Sequence, residues 1–155
     1  MDYPINCNKI ETDLELYSEV IAAHKEAVTY IKSFNWCEEI FDSSLYLNIG
    51  SSLCIFLFKI NNTASKDDDL LWIVVGDIPP MYLDIHCVKT TKQVLENYIA
   101  LAGDWIQAVK SEGNVEDCYP FDAEPNLEMA DLLNQRMFFI RDVVLKNIDD
   151  TPISC

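Results

Sequence analysis

The sequence predicts an α+β domain: an antiparallel sheet of three to four strands packed with a long N-terminal helix and a C-terminal helical hairpin. Three observations predict it. Apolar residues recur at three-and-four spacing before residue 35 and again after residue 90, which is helical periodicity. Between these regions lie two continuous apolar runs, LCIFLFKI (53–60) and LLWIVV (70–75), rich in residues that suit a covered strand. The links around those runs are short, which favours an antiparallel meander. A chain of 155 residues fits one domain spanning 1–155, with a short flexible tail from about 149.

The first helix is expected to start near Thr12. Thr12-Asp13-Leu14-Glu15 has the capping-box form, in which Glu15 reaches back to the cap. Ile10, Leu14, Tyr17, Ile21, Val28 and Ile31 then give one apolar face. His24 falls on that seam, where a satisfied structural histidine is the plainer reading than a ligand. In the middle, residues 45–49 alternate weakly, 53–60 reads as a central strand, 61–69 as a polar loop and 70–75 as the next strand. In the stretch IVVGDIPPMYLDIH (73–86), Gly76 to Pro80 break the strand and 81–86 resume a short one. Neither Pro79 nor Pro80 has an N–H for a ladder, so both must lie at an edge or outside the sheet.

Thr90-Thr91-Lys92-Gln93 offers a second capping box. Val94, Leu95, Tyr98, Leu101, Ala102, Trp105, Ile106 and Val109 form the apolar face behind it, and Gly113 is placed as a C′ stop. After a linker over 114–125, Asn126 can cap the last helix. Ala130, Leu133, Met137, Ile140, Val144 and Ile148 make one seam. Met129, Leu132, Phe138, Phe139, Val143 and Leu145 extend apolar character nearly all round. Such a helix is buried between layers or presents a face to a partner.

Charge is the unusual property. The chain has 26 acids against 11 bases, a formal net charge of −15. A surface of that sign repels nucleic acid and anionic membranes and attracts a basic protein. No run of eighteen apolar residues predicts a membrane span, and the start MDYPIN lacks the basic and apolar regions of a secretory signal. The six cysteines are spread without a disulfide framework, so free thiols and a cytoplasmic location are expected.

The sequence offers little for catalysis. Asp84, His86 and Cys87 are close together, but in a strand Asp84 and His86 share one face and Cys87 takes the other. Two ligands are too few for zinc, and no CxxC or HxxxH spacing supplies more. No GxSxG elbow activates a serine. No glycine-rich phosphate loop occurs. Cys54 lies in the most apolar run, as an inert core thiol does. Asp77 after Gly76 fits turn chemistry. No metal, cofactor or catalytic residue is therefore expected.

The acidic surface is the stronger signal. From 112 to 135 there is no Lys or Arg but there are seven acids: Glu112, Glu116, Asp117, Asp122, Glu124, Glu128 and Asp131. Asp67, Asp68 and Asp69 form a second cluster. The plainer reading is a solvated face, helped where Glu128 sits near a helix start. The functional reading is an electrostatic docking surface of Asp67, Asp68, Asp69, Glu112, Glu116, Asp117, Asp122, Glu124 and Glu128, with Tyr119 and Phe121 as aromatic anchors.

The segment WIVVGDIPPMYL (72–83), a helix bearing Tyr98 and Trp105, DCYP (117–120), NLEMADLL (126–133) and Arg136 together resemble a family of small, uncharacterised bacterial proteins. The resemblance covers roughly 70–148 and rests on fold-defining positions. The chain departs from the pattern at Met81, where the family has Ala, and at Asn126-Leu127, where it has Thr-Pro. Both departures touch packing and capping only. The resemblance implies a bacterial, cytoplasmic setting. There, small acidic domains without catalytic motifs are similar in kind to immunity proteins, which neutralise a cognate toxin by direct binding. The expectation is thus a non-catalytic binding domain for a basic toxin, using no nucleic acid or membrane. Alternatives are a small enzyme or ligand-binding domain with its site near Asp77, Tyr82 and His86, and a homodimer formed through the apolar last helix.

Overall fold

The computed structural model describes residues 3–10, 18–86, 88–111 and 114–153. The expected capping box at Thr12, the stop at Gly113, and Cys87, Glu112 and Cys155 lie outside the described residues. The chain divides into two compact units, 1–91 with 151–155, and 92–150.

The first unit is an α+β structure built on a five-stranded antiparallel sheet in sequential order. Its strands are β1 (Ile5–Asn6), β2 (Cys37–Ile49), β3 (Leu53–Asn62), β4 (Leu70–Gly76) and β5 (Met81–Asp84). The meander follows the expectation, but three to four strands become five. The extra strand, β1, has two residues, Ile5 opposite Leu45 and Asn6 opposite Ser44, too few to leave a period in the sequence. β2 also begins eight residues before the expected 45. Its first half carries Glu38, Glu39, Asp42, Ser43 and Ser44, and its register against β3 shifts at three places. Each shift breaks the inside–outside alternation by which a strand is recognised.

β3 is buried on both faces from Leu53 to Phe58, which accounts for its unbroken apolar run. On one face Cys54, Phe56, Phe58 and Ile60 join Leu71, Ile73 and Val75 of β4 in a core with Val20, Ala27 and Ile31 of helix α2 (Ser18–Lys32). A single-turn helix α1 (Cys7–Ile10) adds Cys7 and Ile10. His24 is half-buried on the α2 seam. Its Nε2 lies 2.9 Å from Ser43 Oγ, and its ring meets Phe56 edge-on at 5.5 Å. It is a satisfied structural histidine. On the opposite face Trp72 is fully buried, donates from Nε1 to the Val88 carbonyl at 2.8 Å, and stands edge-on to Tyr46 at 4.9 Å.

The Gly76 turn has a steric cause. Gly76 has φ +143°, and a Cβ there would lie 2.2 Å from the Ser52 carbonyl oxygen. That oxygen accepts the Asp77 N–H at 3.0 Å, so the β2–β3 turn is tied to the end of β4. Only a residue without a Cβ permits this approach. Pro79 and Pro80 lie outside the ladder, between β4 and β5, as their missing donors require. Residues after Asp150 return to the sheet unit: the Thr151 carbonyl accepts from Thr91 N at 3.0 Å, and Ile153 N donates to the Lys89 carbonyl at 2.9 Å.

The second unit holds most of α3 (Thr91–Lys110) and a C-terminal helix. The Asp150 carboxylate accepts the Lys92 N–H at 3.0 Å, satisfying one of the exposed donors at the start of α3. Asn126 caps α4 (Leu127–Phe139), its Oδ1 accepting from Met129 N at 2.8 Å. Ala130, Leu133, Met137, Ile140 and Val144 are buried, as the seam requires. The helix is not uniform: a π turn spans Ile140–Val144 before a last turn α5 (Leu145–Asn147). Lys110 Nζ at the end of α3 lies 3.3 Å from Asp131 Oδ1 in α4.

Candidate functional site

A cleft of about 290 Å³ opens in the sheet unit where β2 begins and the β3–β4 loop folds over. Its walls are Trp36, Tyr82, Asp68 and Asp84, with Asn62 and Leu71 among the other lining residues. Four separate stretches of chain supply it.

The aromatic wall comes from the exit of α2. Helical spacing brings Tyr30 and Phe34 together, with ring centroids 5.3 Å apart and edge-on. The chain then turns tightly, Cys37 N donating to the Phe34 carbonyl at 3.2 Å, and lays Trp36 flat against Phe34 at 5.0 Å and 21°. The Trp36 carbonyl accepts from Thr63 N at 2.8 Å, which fixes the residue against the β3–β4 loop. Tyr82, opposite Ile73 in edge strand β5, completes the cluster edge-on to Trp36 at 5.2 Å and to Phe34 at 5.1 Å. Burial raises the Tyr82 hydroxyl above its ordinary pKa.

The acidic wall depends on Asn62. This side chain is 7% exposed, yet its Oδ1 accepts from the N–H groups of both Ala64 and Ser65 at 3.0 Å. Its Nδ2 donates to the Asp68 carbonyl at 3.1 Å. The loop is thereby folded around one buried amide, as buried polar groups demand. Asp68 is held so that Oδ1 lies 2.8 Å from His86 Nε2. The His86 contact foremost, and Ser65 after it, hold the Asp68 carboxyl below the usual carboxylate range. Asp84 Oδ1 accepts from His86 N at 2.9 Å, an Asx turn that ends β5.

The sequence presented Asp68 and the pair Tyr82 and His86 as rival sites. They meet here. Asp77 does not join them. It follows Gly76, while Asp84 pairs with Leu71, and five residues of strand put roughly 17 Å between those ends. Asp67 is exposed on the loop, and Asp69 is half-buried with its carbonyl accepting from Ile60 N at 2.8 Å. Trp36, Phe34 and Asn62 were not singled out as site residues. For the two aromatic residues the signal is the run Tyr30, Phe34, Trp36 at the end of a helix; Asn62 leaves none.

The acidic linker belongs to the second unit. Glu116 and Asp117 are exposed on a 3-10 turn (Val115–Asp117) whose start Asn114 caps, Oδ1 accepting from Glu116 N at 2.8 Å. Asp122, Glu124 and Glu128 are exposed, and Tyr119 is half-buried. Phe121 points inward at 7% exposure, 5.5 Å from the Tyr98 ring and 6.4 Å from Trp105. Its ring anchors the linker to α3. The last helix does present an apolar face: Leu132, Phe138, Phe139 and Val143 are all exposed.

Chemically the cleft is aromatic on one side and acidic on the other. Two ring systems and two carboxylates surround a space with no basic residue among those lining it. Among the described residues no group of three or more His, Cys, Asp or Glu is placed to hold a metal ion. Cys54 is buried, its thiol donating to Asn48 Oδ1 at 3.2 Å. Burial first, then the charges of Glu19 and Glu26, push its pKa up to about 12, so it is a poor nucleophile. Among the described residues no helix is long and apolar enough to cross a membrane. No family model matches the chain, and no curated protein or solved structure matches it.

Proposed function

We propose that the protein is a non-catalytic binding domain for a basic protein, and that this partner is a bacterial toxin which it neutralises as an immunity protein does. The observation that carries the reading is the cleft, where Trp36 and Tyr82 stand beside the carboxylates of Asp68 and Asp84. A net charge of −15 draws a cationic protein in and raises the association rate. Long-range attraction gives no specificity, which a desolvated aromatic anchor does provide. The exposed acids of the linker, Glu116, Asp117, Asp122, Glu124 and Glu128, add to the attraction.

The test is co-expression with the product of the adjacent gene. Rescue of growth from a toxic product, together with a complex whose association slows between about 50 and about 300 mM salt, supports the reading. A non-toxic neighbour, or no complex, overturns it. A second reading, a small ligand-binding domain or enzyme, draws on the pairing of His86 with Asp68 at the cleft rim. Turnover or stoichiometric small-molecule binding by the purified protein would favour it. Sedimentation of the protein alone tests self-association through the exposed Leu132, Phe138 and Phe139.

A further inference from the structure

We infer that the cleft takes one arginine side chain of the partner, with the guanidinium as the recognised group. The inference rests on the protein-binding reading and names the chemistry of its anchor. The size fits a single side chain: about 290 Å³ lies at the lower edge of the range of roughly 300–1,000 Å³ used for whole small molecules. The walls fit a flat cation. Trp36 is held rigid by stacking on Phe34 and by the Thr63 hydrogen bond to its carbonyl. A planar guanidinium stacks on such a face and sheds its weak hydration more readily than an ammonium does. The carboxylates fit a fork of donors. Asp68 and Asp84 reach the cleft from different elements, and His86 ties them together through its ring on one and its backbone N–H on the other. A lysine ammonium, a strongly hydrated point charge, offers no plane to the ring and no fork of donors to the carboxylates.

The probe is the capped peptide Gly-Gly-Arg-Gly-Gly, titrated into the whole protein and followed by the Trp36 indole N–H and Tyr82 ring signals in NMR. The same peptide with Lys in place of Arg is the comparator. Saturable shifts with Arg, and binding by Lys weaker by at least about threefold, are expected. Asp84→Asn keeps an oxygen for the His86 N–H while removing the charge, and should weaken Arg binding about tenfold. Trp36→Leu should do the same, with retained backbone shifts in the central strands β3 and β4 showing that the sheet is intact. Glu96→Gln, an exposed acid of α3 with no part in the cleft or the docking surface, should leave it unchanged. No saturable shift at Trp36, or equal binding of the Lys peptide, overturns the arginine assignment even if a basic protein still binds. Arginine binding in the cleft with no basic protein partner overturns the function proposed above and leaves the site standing.

Discussion

His86 Nε2 lies 2.8 Å from Asp68 Oδ1, joining the end of edge strand β5 to a loop eighteen residues earlier. The contact turns two unrelated surface segments into one rim. His86→Ala should return the Asp68 carboxyl toward the ordinary carboxylate range, because its largest stabiliser is gone. The sign follows from linkage: a carboxylate whose folded pKa is depressed adds stability above its unfolded pKa and loses it as pH falls through the folded value. In the variant the Asp68 carboxyl should therefore titrate at a higher pH, and its contribution to stability above that pH should shrink. A side-chain carbonyl NMR titration of Asp68 measures this, and an unchanged midpoint would contradict the assigned cause.

Asn62→Ala should cost about 1–3 kcal/mol, because the backbone donors of Ala64 and Ser65 and the Asp68 carbonyl lose a buried partner together. A shift of the urea midpoint measures the loss. The same variant should alter Trp36 fluorescence, since Thr63, the first residue of that loop, carries the bond to the Trp36 carbonyl. A stability change within about 0.5 kcal/mol, the range of an ordinary surface substitution, would mean the loop holds its shape without Asn62.

The parts of the fold that were legible in the sequence are those governed by local periodicity. The buried seam of α4, the cap at Asn126, the central run of β3 and the exclusion of Pro79 and Pro80 from the ladder each depend on residues close in the chain. The first half of β2 was hidden because three register shifts erase its alternation, and β1 because two residues have no period. The cleft was only partly legible for a different reason. Asp68, Tyr82 and His86 each stood out, but Trp36 and Asn62 acquire meaning only through contacts across 27 and 6 residues of chain. Nothing local in the sequence states that the loop bearing Asp68 folds back beside Tyr82.

Cys54 and Cys118 should differ sharply toward a thiol reagent. Both are free, but Cys54 is buried and its pKa is about 12, whereas Cys118 is only half-buried. At mildly alkaline pH a group at that value holds about a thousandfold less thiolate than an ordinary cysteine. Peptide mapping after timed alkylation should show Cys118 modified first and Cys54 only when the protein unfolds. Early modification of Cys54 would show that the core beneath α2 opens far more often than its packing implies.

The linker combines two roles that substitution can separate. Phe121 is its inward ring, packed near Tyr98 and Trp105, whereas Glu116 and Asp117 point to solvent. Phe121→Ala should cost about 3–5 kcal/mol, the loss of a buried aromatic plus the space it leaves. Glu116→Gln with Asp117→Asn should change stability by about 0.5 kcal/mol or less. At low salt the double change should even be mildly stabilising, since it relieves self-repulsion in a chain of net charge −15. Urea melts of both variants at two ionic strengths measure the difference. If neutralising Glu116 and Asp117 costs as much as removing Phe121, the acids are structural partners within the second unit, and the linker no longer counts as a surface for docking.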